Sequence, residues 1–146
     1  MDDLSVIVRY SRMFSERKLK KFNIGFPEQV ILMYLSKKSD VNQDTIATHF
    51  LIDKGSIAKT CSKLEKKSMI TRKQNPLNKR EYLISLSPEG RELIGYMKKI
   101  LLEWNECIYK DISNDEIKNM KKLTGVIAQN AANAINEDGG VLDEKE

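Results

Sequence analysis

Between residues 53 and 80 stand nine basic side chains, Lys54, Lys59, Lys63, Lys66, Lys67, Arg72, Lys73, Lys79 and Arg80, against two acids, Asp53 and Glu65. The local net charge is +7, whereas residues 1–52 carry +2 and residues 81–146 carry −5. A cationic patch gathered in this way attracts a polyanion. Charge alone would describe a solvated helix face equally well, so the residues among the charges have to decide. Ile57, Cys61 and Leu64 fall at i, i+4 and i+7 and make a narrow apolar stripe on a helix predicted from about Lys54 to Lys67. Its other face displays Gly55, Ser56, Lys59, Thr60 and Lys63. Those side chains suit a DNA major groove: cations for phosphates and guanine edges, hydroxyls for any base, and little bulk at the helix start. Ser56, Lys59, Thr60 and Lys63 are therefore the candidate groove contacts. Lys54, Lys79 and Arg80 are the candidates for backbone and wing contacts.

Lys79 and Arg80 lie in the loop Asn75-Pro76-Leu77-Asn78-Lys79-Arg80, between two strand-like segments, Ile70 to Gln74 and Glu81 to Leu86. In the second segment Tyr82, Ile84 and Leu86 alternate with Leu83 and Ser85. A hairpin with a cationic tip can follow a phosphate backbone or insert an arginine into a minor groove.

Other chemistry finds little support. Cys61 and Cys107 lack the paired spacing of a zinc site and are too few for a disulfide scaffold. Cys61 does sit beside Lys59 and Lys63 in sequence, and nearby cations lower a thiol pKa, so redox sensing is one reading to test. His49, the sole histidine, has no ligand partner at metal spacing and reads as a polar position ending a short helix. With no nucleophile, acid–base pair or phosphate-cradling glycine loop, no enzyme activity and no cofactor are expected.

The elements that must position the basic segment follow from periodicity and caps. Leu4, Ile7, Val8, Met13 and Phe14 recur at helical spacing up to about Phe22. Pro27 suits the first turn of a second helix running to about Lys37. Asp40 to Gln43 turn into a short helix near 43–50, with Ile46, Ala47 and Phe50 inward and Leu51-Ile52 expected to pack the turn. Asp53 caps the reading helix. Ser87-Pro88-Glu89 opens a long helix through Ile108, and Ser113 or Asn114 a last one that is expected to end before Gly139-Gly140. The apolar stripes of the terminal helices exceed what a small wing domain can cover.

The expected architecture is mainly α with a small β-hairpin wing: a winged helix-turn-helix plus a helical dimerisation layer from both chain ends. Residues 1–26 form an N-terminal dimerisation helix, 27–88 the DNA-binding region, 89–137 the C-terminal dimerisation helices and 138–146 a disordered acidic tail. A chain of 146 residues suits one such unit. Its longest apolar run, Val30 to Leu35, is far short of the roughly 20 residues that cross a bilayer, so a cytoplasmic protein with no membrane partner is expected.

With Leu64 to Arg72, Asn75 to Arg80, Leu86 to Gly90 and Ile52 to Ile57 in this order, the chain resembles the MarR family of bacterial winged-helix transcriptional regulators over nearly its whole length. Two positions depart from that family's pattern. Ser68 replaces a usual glycine after the recognition helix, and Asn78 replaces an aspartate that braces the wing arginine. The resemblance implies a homodimer, more often a repressor, with two recognition helices in successive major grooves of a pseudo-palindromic operator. It also implies a pocket for a small aromatic or amphipathic ligand, for which Tyr10, Met13, Met33, Tyr34 and Trp104 are apolar candidates and Arg9 or Arg12 the anion partner. The competing reading is a winged-helix protein-interaction module, or a DNA binder blind to sequence.

Overall fold

The computed structural model describes residues 2–142, and the side chains of residues 3–135. Helix α1 (Asp2–Leu19) runs into a 3₁₀ turn at Lys20–Phe22, which Asn23 ends in the left-handed region at φ 53°. Helices α2 (Phe26–Leu35), α3 (Gln43–Phe50) and α4 (Lys54–Lys66) follow, then strands β1 (Ile70–Gln74) and β2 (Tyr82–Leu86), and helices α5 (Pro88–Ile108) and α6 (Asn114–Leu142). This mainly helical chain with one hairpin is the expected fold class. The chain divides into two compact units, residues 1–104 and 105–146.

In the first unit the core is fully closed around Leu19, Leu32, Ile46, Cys61, Leu64 and Ile84. Each fully buried aliphatic side chain there contributes about 1.5–3 kcal/mol by leaving water. Helix α4 gives this core the three positions its periodicity predicts, Ile57, Cys61 and Leu64. The strands pair antiparallel with Ile70 opposite Leu86 and Arg72 opposite Ile84. Ile84 and Leu86 point inward, while Tyr82, on the same face but nearer the loop, stays half exposed. One pairing is not visible in the sequence: Val41 exchanges backbone hydrogen bonds with Ile84 (Ile84 N to Val41 O 2.8 Å), which adds a one-residue third strand.

The junctions decide how the reading helix is held. Asn42 Oδ1 accepts from Thr45 N at 2.8 Å and caps α3, and Asp53 Oδ1 accepts from Ser56 N at 2.8 Å and caps α4. Leu51, between them, adopts φ 51° and is 68% exposed, and Ile52 is exposed too; these residues do not pack the turn as expected. The left-handed backbone at Leu51 aims its side chain outward, so conformation overrides hydrophobicity there. Ser68 does take the left-handed conformation (φ 58°) that the family's glycine would, at a cost of about 1 kcal/mol. Its carbonyl accepts a hydrogen bond from Ser87 Oγ at 2.6 Å, and the same Oγ caps α5 by accepting from Gly90 N at 2.9 Å.

In the second unit, Ser113 and Glu116 close a reciprocal cap at the start of α6: Ser113 N donates to Glu116 Oε2 at 2.9 Å and Glu116 N to Ser113 Oγ at 3.3 Å. The helix backbone passes through Gly139-Gly140 to Leu142, beyond the expected end. Glycine costs a helix interior only about 1 kcal/mol and removes no hydrogen bond, unlike proline. Of the tail expected to be disordered, residues 143–146 lie outside the described residues.

Candidate nucleic-acid interface

Helix α4 presents Lys54, Ser56, Lys59 and Lys63 to solvent, with Thr60 half-buried beside them. Ser56, Lys59, Thr60 and Lys63 therefore share a face turned away from Ile57, Cys61 and Leu64, as a 3.6-residue period requires, whereas Lys54, the first residue of the helix, is exposed on another side, toward Asp44. The hydroxyls are not idle. Thr60 Oγ1 donates to Ser56 O at 2.9 Å, and the Ser56 hydroxyl together with its backbone N–H holds the Asp53 carboxylate below its ordinary pKa range. With its proton engaged inside the helix, Thr60 Oγ1 keeps its lone pairs as an acceptor.

Ion pairs sort the nine basic residues. Lys54 Nζ lies 2.9 Å from Asp44 Oδ2, Lys67 Nζ 2.6 Å from Glu28 Oε1, Arg72 Nε 3.1 Å from Glu65 Oε2 and Lys73 Nζ 2.9 Å from Asp40 Oδ1. The Arg72 pair is close but out of line for a hydrogen bond. Lys59, Lys63, Lys66, Lys79 and Arg80 have no ion pair among the described residues. Lys67 also donates to Asn23 O, and Glu28 Oε2 accepts from Gly25 N at 2.8 Å, so this nearly buried pair straps the end of α4 to the start of α2. Lys54 is different: both members of its pair are well exposed, a contact worth about 0–1 kcal/mol that a phosphate can replace.

The wing is stitched by amides. Asn78 Oδ1 accepts from the backbone N–H of Arg80 at 3.2 Å, and Asn75 Oδ1 from that of Leu77 at 3.0 Å. Gln74 Nε2 donates to Lys79 O at 2.7 Å and Asn75 Nδ2 to Glu81 Oε2 at 3.0 Å. Asn78 thus orders the backbone that carries Arg80 and leaves the guanidinium exposed.

The model of the MarR family matches residues 27–82, the stretch that runs from α2 to the return of the hairpin. A curated relative, the HTH-type transcriptional regulator BilQ of Clostridioides difficile (strain CD3), is 28% identical over 80% of this chain and 78% of its own length. A crystal structure of MarR superposes with a TM-score of 0.84 at 32% identity, over 92% of this chain and 91% of that one. The chain belongs to the MarR family. A family member of the same fold, a putative regulator from Listeria monocytogenes solved with a 26mer DNA, superposes with a TM-score of 0.81 at 22% identity, over 91% of this chain and 89% of that one.

This MarR-family chain also carries a cleft of about 560 Å³ within residues 11–104, lined by α1, α2, α3 and α5. Of the ligand-pocket candidates, Arg12, Met33, Tyr34 and Trp104 line it, whereas Arg9, Tyr10 and Met13 do not. Ser11, Phe14 and Ser15 take that face of α1 instead, and Arg9 lies over its neighbour Tyr10 at 5.2 Å on the exposed side. The apolar spacing of α1 defines a stripe but not which part of it meets α5. Gln29, His49 and Phe50 are lining residues that sequence reasoning missed. His49, in the last turn of α3 as expected, stacks 4.6 Å from Tyr34 and 4.7 Å from Phe50. Gln29 is buried in the wall, and its Nε2 has no hydrogen-bond partner among the described residues.

The alternative reading of Cys61 as a redox-sensing thiol finds no support in its surroundings. Its side chain is fully buried on the inner face of α4, and burial pushes the thiol pKa up despite the charge of Arg72. Lys59 and Lys63 flank it in sequence but leave the helix on the outer face. Cys107 is exposed and free. Among the described residues no cluster could hold a metal ion, and no helix is long and apolar enough to cross a membrane.

Proposed function

We propose that this protein is a homodimeric, cytoplasmic DNA-binding regulator, acting as a repressor on a pseudo-palindromic operator, and not an enzyme. The observation that carries the reading is the pairing of one outward helix face, Ser56, Lys59, Thr60 and Lys63, with a hydrogen-bonded wing whose Lys79 and Arg80 are unpaired. The hydroxyls of Ser56 and Thr60 suit contacts to base edges, where a hydroxyl can donate or accept. The lysines and Arg80 supply phosphate and minor-groove contacts, and Lys54 joins them by exchanging Asp44 for a phosphate. The relatives named as transcriptional regulators support the same reading.

Dimerisation through the chain ends (residues 1–26 and 89–137) is supported by apolar side chains that a single copy leaves in water: Leu4, Ile7 and Val8 on α1, and Leu123, Val126 and Ile127 on α6. The apolar cleft supports an aromatic or amphipathic ligand. The guanidinium of Arg12 and the orphaned Gln29 amide would meet its acceptor oxygens, and the ligand would act by shifting the equilibrium between DNA-competent and DNA-incompetent forms.

Titration of the protein against fluorescent duplexes tiling the region upstream of its own gene, beside shuffled duplexes at two salt concentrations, tests the reading. A preference for one tile of at least about a thousandfold is expected. Equal, salt-steep binding to every duplex, or no binding, would reject a sequence-reading regulator of its own gene.

A further inference from the structure

A second cavity, of about 450 Å³, lies where the end of α2, strand β2 and the first half of α5 meet. Four cations line it: Lys37 and Lys38 just past α2, and Arg91 and Lys98 two turns apart on one face of α5. No carboxylate lines it, and none of the four has an ion pair among the described residues. The neighbouring acid, Asp40, accepts from Ser85 Oγ at 3.0 Å and is held 2.9 Å from Lys73 Nζ, so its charge is already engaged. Lys38 Nζ lies 5.6 Å over the Tyr34 ring, and the like charges of Lys37, Arg91 and Lys98 around one concavity favour an anion between them. Lysine and arginine are the side chains that take phosphate, the one as a point charge and the other as a fork.

We propose that this cavity binds a small phosphorylated metabolite with at least two negative charges, such as a nucleoside phosphate or pyrophosphate. Leu86 and Ile94 give it an apolar floor for an organic body, and its volume falls in the range of small-molecule sites. None of its lining residues comes from α3, α4 or the 75–80 loop, which argues for a free ligand in place of the DNA backbone. Lys37 and Lys38 also line the apolar cleft, whereas Arg91 and Lys98 belong to this cavity alone. The two sites can therefore be separated by substitution.

Isothermal titration of the full chain with ATP and with inorganic pyrophosphate, against sodium sulfate at matched ionic strength, reads the site. Saturable binding of one or both phosphates, tighter than sulfate, is expected at one site per chain. Arg91→Gln/Lys98→Gln should weaken it at least about tenfold, the loss expected when charge-assisted contacts to phosphate are removed, while Trp104→Ala leaves it unchanged. All of these residues but Trp104 are exposed, so the glutamine variant should fold, which circular dichroism checks. Binding of neither phosphate above sulfate, or equal binding by the glutamine variant, overturns the proposal. A reduced salt slope for DNA in that variant would also overturn it, by assigning these cations to the DNA backbone.

Discussion

At the scale of single residues, ion pairing separates basic side chains that the sequence treats alike. Lys59 is exposed and unpaired, so its positive charge is available to a phosphate, whereas Lys67 is committed to Glu28. Lys59→Ala is expected to weaken binding to all duplexes and to lower the slope of log K against log salt by about 1, measured by fluorescence anisotropy over a salt series. An unchanged slope would remove Lys59 from the phosphate contacts. Asp53 gives a prediction of a different kind. Hydrogen bonds from Ser56 lower its pKa in the folded state, so its cap contributes stability in full above the ordinary aspartate value of about 3.9 and loses it as pH falls through the lowered folded value. In Asp53→Asn, which keeps the cap without the titration, denaturation midpoints across the acid range should decline less steeply than in the parent. Which cations would be free, and that burial would outweigh the nearby charge and raise the Cys61 thiol pKa, depended on partners that residue spacing does not name.

Among the elements, the joint between the hairpin and α5 is the most tightly determined. Ser87 Oγ donates to Ser68 O and accepts from Gly90 N, and a Cβ placed on Gly90 would sit 2.0 Å from Met69 O. Alanine is the better helix former by about 1 kcal/mol, but the obstacle is a backbone carbonyl that cannot rotate away. The clash should win: Gly90→Ala is expected to destabilise the fold by about 1–3 kcal/mol, read as a lower denaturant midpoint. A higher midpoint would mean that the joint relaxes freely. The Ser-Pro-Glu start of α5 was legible because caps are local chemistry; the need for glycine at position 90 was not, because Met69 approaches it from 21 residues away in sequence. The Val41 bridge is hidden for the same reason, since one isolated residue shows no period.

For the whole molecule, the exposed apolar side chains of α6 set the expected assembly. Leu123→Glu/Ile127→Glu places two charges at exposed positions of α6, and sedimentation should find half the parent mass with the helical circular dichroism retained. A parent that sediments as a monomer would refute the dimer directly. By itself the sequence determined the order of helices and strands, the caps at Asp53 and Ser87, the inner stripe of α4 and the segregation of positive charge. Periodicity, capping and composition act over a few residues and need no distant partner. Tertiary structure alone decided that Arg12 but not Arg9 or Met13 meets the cleft, that Gln29 Nε2 is buried without a hydrogen-bond partner among the described residues, and that Glu28 reaches Lys67 across 39 residues of chain. Burial and ion pairing depend on which surfaces the fold brings together, and the energy that selects them is shared across the whole core.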